Sequence, residues 1–282
     1  MAARGNVPAV SISVADVVTL LDERYPPETA ESWDRVGLVL GRPEREVTTV
    51  LLTVDCVPET VAQAVAVGAQ MIVSHHPLLL RGVSSVAPST YKGRAVHDLI
   101  EAGIALYVAH TNADKADPGV SDALAGRLDL MGLRPLVPDG FSPTTGIGRV
   151  GRLPEPMSLA EFAAYCADRL PETVWGVRAA GDPERTVYTV AVSGGAGDAH
   201  LADAKAAGVD VYLTSDLRHH AAGEHLADDG PALVDAAHWA TERPWLDYAA
   251  TALRDALDLD TVVSDLVTDP WTLHAARSGL PR

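Results

Sequence analysis

The sequence predicts an α/β fold in which buried, mainly parallel strands alternate with helices. Short apolar runs of strand length are separated by alanine-rich segments, and they occupy residues 47–55, 69–75, 104–110, 187–194, 209–216 and 231–238. Such alternation is typical of sheets that are covered on both faces and whose strands run parallel. Two helix starts support this fold class. One helix is expected near 14–24 with Ser11 or Ser13 as its cap, and another follows Ser158, where the S-x-x-E pattern to Glu161 forms a capping box.

The two halves of the chain have related patterns. A glycine lies seven positions before His75 and, in the second half, seven positions before Ser215. Each half then ends in an H-x-x-x-acid motif, which begins at His110 in the first half and at His238 in the second. A glycine before a buried strand is also the ordinary helix-to-strand turn. The shared ending nevertheless favours a degenerate internal repeat, in which His110 corresponds to His238.

The repeat predicts a single unit of 282 residues that is built from two related α/β halves. The halves are expected to span about 47–133 and about 187–262. Between them, residues 134–186 contain many prolines and glycines, which predicts a loop-rich linker.

The composition argues against several classes of protein. With 22 basic and 38 acidic residues the formal charge is -16, so nucleic acid and anionic membranes are poor partners. Cys56 and Cys166 have no CxxC spacing, so neither a disulfide framework nor a thiolate metal site is indicated. The sequence contains no apolar run of roughly 18 residues and no signal-like segment at its start. We therefore expect a cytoplasmic protein that has no membrane association.

Side chains that bind metals follow three of the predicted strands. They are His75 and His76 in SHHP, His110 and Asp114 in HTNAD, and His238 and Glu242 in HWATE. Because functional groups of open α/β sheets gather beyond the carboxyl ends of the strands, we expect these groups to meet. Successive side chains at a strand end point to opposite sides, so the paired histidines are expected to face two neighbouring ions. Imidazole and carboxylate together suit zinc, manganese, iron or nickel.

A structural interpretation competes with the metal interpretation at each position. A single histidine at a strand end is more often a hydrogen-bonded structural residue than a ligand. The recurrence of His-plus-acid groups at matching strand ends favours a metal site. A structural role is expected for His97, a helix-surface position for His200, and a solvated or interface role for His219, His220 and His225. The SGGAGD segment at 193–198 lacks the lysine and hydroxyl of a P-loop, and we interpret it as a tight strand-to-helix turn.

In combination, these motifs resemble the family of GTP cyclohydrolase I type 2 homologues, also called NIF-three-like dinuclear metal-binding proteins. The resemblance covers nearly the whole chain. It rests on WDRVGLVLG at 33–41, SHHPLLLRG at 74–82, HTNADKADPGVSDALA at 110–125, GIGRVGRL at 146–153, SGGAGD at 193–198, TSDLRHH at 214–220 and DAAHWATE at 235–242. Two positions depart from the family pattern, because Arg35 replaces an asparagine and Ser215 replaces a glycine that are frequent there.

The resemblance implies a two-part α/β fold, a site for two divalent ions between the halves, and a toroidal oligomer that is typically a hexamer. The metal ligands of the family correspond to His75, His76, Asp114, His238 and Glu242, with Glu242 as a bridge between the ions. His110 is then a further ligand, a residue that orients Asp114, or a catalytic residue that transfers a proton. The middle of the chain is too short for the inserted domain of longer relatives, so this is the compact form.

Different classes of function are compatible with these residues. The first is a metal-dependent hydrolase, in which two ions lower the pKa of a bridging water and bind the oxygens of a nucleotide or another phosphorylated small molecule. The second is a non-catalytic metal carrier, insertion or regulatory protein that uses the same ligands. A third is a scaffold whose ring shape matters more than its metal. The sequence contains no visible purine-recognition motif.

Overall fold

A computed structural model describes residues 11–275, which form two β-sheets with helices on both faces of each sheet. The helices are α1 (Val14–Arg24), α2 (Pro58–Ala66), α3 (Tyr91–Ala102), α4 (Thr111–Lys115), α5 (Val120–Arg127), α6 (Leu159–Arg169), α7 (Leu201–Ala206), α8 (His219–Ala227) and α9 (His238–Leu257). The strands are β1 (Gly37–Leu40), β2 (Thr49–Thr53), β3 (Met71–Ser74), β4 (Ala105–Val108), β5 (Met131–Pro138), β6 (Gly146–Ser158), β7 (Val177–Ala180), β8 (Thr186–Ala196), β9 (Val211–Ser215), β10 (Ala232–Ala236) and β11 (Asp260–Val263). The six apolar runs correspond to β2, β3, β4, β8, β9 and β10, so the α/β prediction is confirmed.

Both sheets are mixed. The first has the strand order β1-β4-β3-β2-β11, in which only the β1–β4 pair is antiparallel. The second has the order β5-β6-β8-β9-β10-β7, in which β8, β9 and β10 are parallel and the outer pairs are antiparallel. The prediction of mainly parallel strands therefore holds for the first sheet and for the centre of the second. It is wrong for the outer strands of the second sheet.

Helices cover the sheets because each presents one apolar face. Apolar side chains of α1 and α9 pack on one face of the first sheet, and those of α2 and α3 pack on the other. Helices α5 and α6 cover one face of the second sheet, and α7 and α8 cover the opposite face. Helix α9 contacts both β2 and β8, so it connects the two halves. Within residues 11–275, none of the helices has the length and apolar character needed to span a bilayer.

The strand register is the same in the two halves. Met71 is the first residue of β3 that pairs with both neighbouring strands, β2 and β4. Val211 of β9 has the same position between β8 and β10. Each lies three residues after a glycine with positive φ, Gly68 at 69° and Gly208 at 67°. These equivalences support the internal repeat.

The repeat also extends further towards the N-terminus than the apolar runs indicate. Helices α1 and α6 both begin after a serine in a capping box, Ser13 and Ser158. The first helical N–H of each donates to the arginine carbonyl of a G-x-P-E-R turn, Arg45 at 2.8 Å and Arg185 at 2.9 Å. The same helix, turn and following strand therefore occur at equivalent places in both halves.

The loop-rich linker that was predicted for 134–186 is wrong. This region contains most of β5, all of β6, α6 and β7, and the start of β8. Several of its prolines and glycines lie within β5 and β6, where they are part of the strands instead of marking loops. The part from Ser158 onwards belongs to the second copy of the repeat.

Candidate metal centre

The predicted site residues come together in one cluster to which both halves contribute. His75, His76, His110 and Asp114 follow strands β3 and β4 of the first sheet, and His238 and Glu242 lie at the start of α9, after β10 of the second. The cluster therefore lies between the halves, as the sequence predicts. Which of these residues bind a metal stays a prediction.

The end of β3 positions His75 and His76. Their backbone N–H groups donate to the carbonyls of Thr53 at 3.1 Å and Val54 at 2.8 Å, which extends the parallel ladder beyond the strand. The Ser74 hydroxyl donates to the His76 carbonyl at 2.9 Å. The two imidazole centroids are 5.1 Å apart with a tilt of 40°. Both rings are thus placed by regular backbone hydrogen bonds.

A short helix after β4 positions His110 and Asp114. The backbone N–H of His110 donates to the Asn112 side-chain oxygen at 2.9 Å, and the Asn112 amide donates to the Tyr25 carbonyl at 2.7 Å. The backbone N–H of Asp114 donates to the His110 carbonyl at 3.0 Å. A helix of five residues has little stability of its own, so the buried Asn112 is what fixes α4 to the end of α1.

Glu242 lies at the centre of the cluster. Its Oε1 atom is 3.0 Å from Nε2 of His238, one helical turn earlier, and 3.4 Å from Nε2 of His75. Its Oε2 atom is 3.1 Å from Nε2 of His76. Asp114 approaches from the other side, where its Oδ1 is 3.7 Å from Nε2 of His75. One carboxylate therefore faces histidines through both of its oxygens.

A hydrogen-bond acceptor holds the Nδ1 atom of each of these histidines. The pairs are His75 with the Ala109 carbonyl at 2.8 Å, His76 with Asp55 at 2.8 Å, His110 with Asp34 at 2.9 Å, and His238 with Asp216 at 2.7 Å. An acceptor at Nδ1 fixes the ring orientation and the tautomer, and leaves Nε2 to bind a metal. The surroundings of the cluster are thus arranged like those of a metal site.

Sequence reasoning missed the three carboxylates that hold histidine Nδ1 atoms, which are those of Asp34, Asp55 and Asp216. Asp55 and Asp216 each end a predicted strand run, as the candidate ligands do, and Asp34 lies in the WDRVGLVLG motif. Strand-end position was therefore a usable signal for two of them. The histidine partner of each carboxylate could not be predicted, because Asp55 lies 21 positions from His76 and Asp34 lies 76 positions from His110.

Attraction between the imidazoles and the carboxylates determines the protonation of the cluster. The charge of Glu242 raises the pKa of His238 to about 11, although burial opposes this. Burial lowers the pKa of His76, but Glu242 and Asp55 outweigh it and raise that pKa to about 10. Burial favours the neutral form of Glu242, yet the histidines hold its pKa well below the ordinary value. Without a cation the cluster therefore binds protons, and a divalent cation would take their place.

The residues present fit a metal ion. Among residues 11–275, three buried polar atoms of the cluster have no hydrogen-bond partner, namely Nε2 of His75, Oδ1 of Asp114 and Oε2 of Glu242. Oε2 of Glu242 is close to His76 but outside hydrogen-bonding geometry. Leaving such atoms unpaired is costly, and each is an atom through which proteins bind metals. The histidine and carboxylate groups are therefore compatible with a metal site.

The end of β8 forms one wall of the cluster. Gly195 has a φ of +67°, and a Cβ atom there would lie 2.5 Å from Oε1 of Glu242 and 3.1 Å from Nε2 of His238. Only glycine leaves this space open. The interpretation of 193–198 as a simple strand-to-helix turn was therefore incomplete, because β8 continues to Ala196 alongside the cluster.

The remaining histidines lie outside the cluster. His97, His219 and His220 are exposed, and His200 is half-buried with its Nδ1 3.1 Å from Asp203. His225 is only 8% exposed and its Nε2 faces the Pro231 carbonyl at 3.2 Å. The prediction of a solvated or interface role for His225 is wrong, because the residue is buried below the 230–231 turn.

Two open cavities reach the cluster. One of about 450 Å³ opens beside Trp33 and Asp114. The other, of about 430 Å³, opens beside Trp175. His76 and His238 line both of them. A ligand can therefore approach the candidate metal centre from either side.

Comparison with known proteins decides the family. Residues 12–270 match the model of the family described as Duf34/NIF3 (NGG1p interacting factor 3). The chain belongs to the Duf34/NIF3 family. The resemblance that the motifs indicate is thereby confirmed.

Relatives within the Duf34/NIF3 family include proteins named GTP cyclohydrolase 1 type 2 homolog. The one from Streptomyces coelicolor is 57% identical over 270 residues, which cover 93% of this chain and 95% of the relative. The one from Mycobacterium bovis is 37% identical over 372 residues, which cover 94% of this chain and 98% of the relative. Because that match is longer than this whole chain, the mycobacterial protein has additional residues within it. This chain is the compact form.

Solved structures confirm the Duf34/NIF3 fold. A Bacillus cereus protein related to NIF3 has a TM-score of 0.87 at 24% identity, and the match covers 94% of this chain and 100% of the other. A Staphylococcus aureus hypothetical protein has a TM-score of 0.86 at 29% identity, with the same coverage.

The departures at Arg35 and Ser215 lie beside the cluster, where Arg35 donates to the Asp34 carbonyl and the Ser215 hydroxyl lies 3.1 Å from that of Thr241.

Proposed function

We propose that this protein is a metal-dependent hydrolase that binds two divalent ions and acts on a nucleotide or another phosphorylated small molecule. The observation that carries the proposal is the convergence of oriented imidazoles and carboxylates at the junction of two open cavities. Structural metal sites are closed by their protein ligands, whereas catalytic sites keep a position open to substrate. The access to this cluster therefore favours catalysis.

Two overlapping groups of candidate ligands support two ions. One group contains His75, His76 and His110, and the other contains His76, His238 and Glu242. Glu242 faces histidines through both carboxylate oxygens, which suits a bridge between ions. The donor types suit zinc, iron, manganese or nickel. When bound, such ions supply positive charge for phosphate oxygens and lower the pKa of water.

His110 is the candidate for proton transfer. Its Nδ1 is fixed by Asp34, and its ring centroid lies 5.3 Å from that of His75 and 5.5 Å from that of His76. It also lines the cavity beside Trp33. A fixed imidazole with one free nitrogen facing a substrate cavity meets the geometric requirement for a general acid or base.

The negative charge of the site makes the binding of an anionic substrate depend on the metal ions. Carboxylates surround the cluster, namely Asp34, Asp55, Asp114, Asp216 and Glu242. Without cations these groups repel a phosphate. Two divalent ions exceed the charge of the two candidate ligand carboxylates, Asp114 and Glu242, by about +2, so the metal centre itself can bind a phosphate. The name of the relatives makes GTP the first substrate to assay.

The test is an assay of protein loaded in turn with zinc, manganese or iron, against GTP and simple phosphoesters. Asp114→Asn is expected to abolish turnover by reducing metal content. His110→Asn is expected to lower kcat by roughly 100-fold, and the metal content decides its role: retained metal supports proton transfer, whereas lost metal makes His110 a ligand. His97→Asn is the control, since His97 is exposed and remote from the cluster.

Turnover that survives in Asp114→Asn contradicts the hydrolase. Transfer of metal to an apo-acceptor without any turnover supports the carrier instead. The toroidal hexamer and the cytoplasmic location stay predictions of the proposal, and light scattering coupled to size-exclusion chromatography tests the first.

A further inference from the structure

The cavity beside Trp175 contains groups that metal chemistry does not use. Besides His76 and His238, its walls include two tryptophans, Trp175 and Trp271, and the carboxylate of Asp269. Its volume of about 430 Å³ lies in the range of small-molecule sites, roughly 300–1,000 Å³. The cavity can therefore hold a ring system next to the candidate metal centre.

Trp175 is a fixed support for the aromatic wall of the cavity. The guanidinium of Arg178 lies 4.7 Å from the centroid of its indole ring. Arg178 is held in turn by Asp235, whose carboxylate accepts from Nε at 2.7 Å and is almost completely buried. A cation over the face of an indole stabilises the ring in place.

Trp271 reaches the cavity on the C-terminal strap, which we define as residues 264–271. The strap is attached to the first sheet, because the backbone N–H of Ser264 donates to the Leu52 carbonyl at 2.8 Å. At its far end the Trp271 ring lies 5.7 Å from that of Trp175 with a tilt of 34°. Trp271 remains 58% exposed, so most of its aromatic surface is free to contact a ligand.

Asp55 links the C-terminal strap to the candidate metal centre. Asp55 accepts a hydrogen bond from the Thr268 hydroxyl of the strap through one oxygen, and its other oxygen holds Nδ1 of His76. The aromatic wall and a candidate metal ligand are therefore fixed by the same carboxylate. A ligand stacked on Trp271 has its other end beside His76 and His238.

The polar wall of the cavity selects hydrogen-bond donors. Asp55, Asp216 and Asp269 all line it, and among the described residues Oδ2 of Asp269 is buried and has no hydrogen-bond partner, so Asp269 keeps an unused acceptor at this wall. The guanidinium of Arg178 also lines the cavity, but it is paired with Asp235, so the side-chain acceptors on this wall are carboxylates. They favour a neutral ring whose edge presents N–H groups.

We propose that this cavity is the subsite for a planar nitrogen heterocycle of the purine type, which stacks on Trp271 and donates N–H hydrogen bonds to Asp269. The attached phosphate then extends past His76 to the metal ions, and this second part rests on the proposed function. The heterocycle subsite itself needs no metal. Binding and hydrolysis can therefore be tested separately.

The test is calorimetric titration of full-length, chelator-treated protein with guanosine, which has no phosphate. The wild-type protein is expected to bind, and Trp271→Ala is expected to weaken binding roughly tenfold or more, as loss of a base-stacking aromatic usually does. Asp269→Ala should weaken guanosine more than adenosine, because guanine alone presents adjacent ring and amino N–H donors. Phe141→Ala, which removes an exposed aromatic ring outside this cavity, is the control and should bind like the wild type. Circular dichroism verifies that each variant is folded.

The outcomes distinguish a failure of the proposed subsite from a failure of the proposed hydrolase. Equal guanosine affinity in the wild type and Trp271→Ala overturns the subsite, as does a wild type that does not bind guanosine. Ribose 5-phosphate, which has no base, serves as the second probe with metal-loaded protein. If it is hydrolysed while guanosine does not bind, the hydrolase stands and the subsite fails. If guanosine binds through Trp271 and no phosphoester is turned over, the subsite stands and the hydrolase fails.

Discussion

Gln70 and Asp210 accept equivalent hydrogen bonds in the two halves of the molecule. Oε1 of Gln70 accepts from the backbone N–H of Thr49 at 2.9 Å, and Oδ2 of Asp210 accepts from that of Thr189 at 2.7 Å. Each oxygen also accepts from the preceding N–H and from a threonine hydroxyl. In both halves a side chain thus fixes the start of one strand against the next. One of them is neutral and the other is charged, so the two halves respond differently to pH.

The first prediction concerns acid stability at Asp210. Burial would raise the pKa of Asp210, but the hydrogen bonds from Thr189 and Tyr188 outweigh it and lower that pKa below the ordinary value. A carboxyl group with a lowered pKa stabilises the fold fully above its unfolded value, about 3.9, and loses this contribution as the pH falls through the folded value. Asp210→Asn is therefore expected to reduce the loss of stability below about pH 4. Urea unfolding between pH 7 and pH 3 measures it.

Gln70→Ala is the matched control for Asp210→Asn. It should lower the free energy of unfolding by about 1 kcal/mol, since it removes the acceptor of backbone N–H groups. It should leave the dependence of stability on pH unchanged. An acid-induced loss in Asp210→Asn as large as that of the wild type would show that Asp210 has no part in it.

The second prediction uses two glycines with the same backbone conformation. Gly195 and Gly208 both have a φ of +67°, but only a Cβ at Gly195 would meet Glu242, whereas none of the described atoms lies within 4 Å of a Cβ at Gly208. Alanine at either position costs about 1–2 kcal/mol of backbone strain. Gly195→Ala should in addition displace the Glu242 carboxylate and reduce the metal content of reconstituted protein. Elemental analysis of both variants decides the point, and equal metal content would refute the proposed crowding.

Local patterns predicted the strands, the caps and the candidate ligands, because these depend on nearby residues. The Ser158 capping box and the strands that precede His75 and His238 are examples. The second sheet was harder, because β5 and β6 are rich in glycine and proline and pair antiparallel. The duplicated G-x-P-E-R turn was visible in the sequence, but its meaning depends on hydrogen bonds to helices that begin far away in the chain.

The third prediction tests how Asp34 positions His110. The Asp34 side chain is buried, and its oxygens hold Nδ1 of His110 at 2.9 Å and the backbone N–H of Thr111 at 3.0 Å. In Asp34→Asn, one of these acceptors becomes an amide donor, so the imidazole loses its fixed tautomer. We expect kcat to fall by about 10–100-fold, with KM and metal content little changed. Asp98→Asn on the exposed face of α3 is the control, and loss of metal in Asp34→Asn would show a structural role instead.

The last prediction concerns metal removal. If the cluster binds divalent ions only in the folded state, excess metal stabilises that state, by about 2.7 kcal/mol at 100 times the Kd. For a protein of this size such a gain corresponds to a rise in Tm of roughly 5–10 °C, which a chelator should reverse. Glu242→Gln should lose most of this rise, because Glu242 faces three of the candidate histidine ligands within 3.4 Å. His97→Ala should retain it. Differential scanning calorimetry with and without chelator measures the difference, and a Glu242→Gln protein whose Tm responds to metal as the wild type does would remove Glu242 from the site.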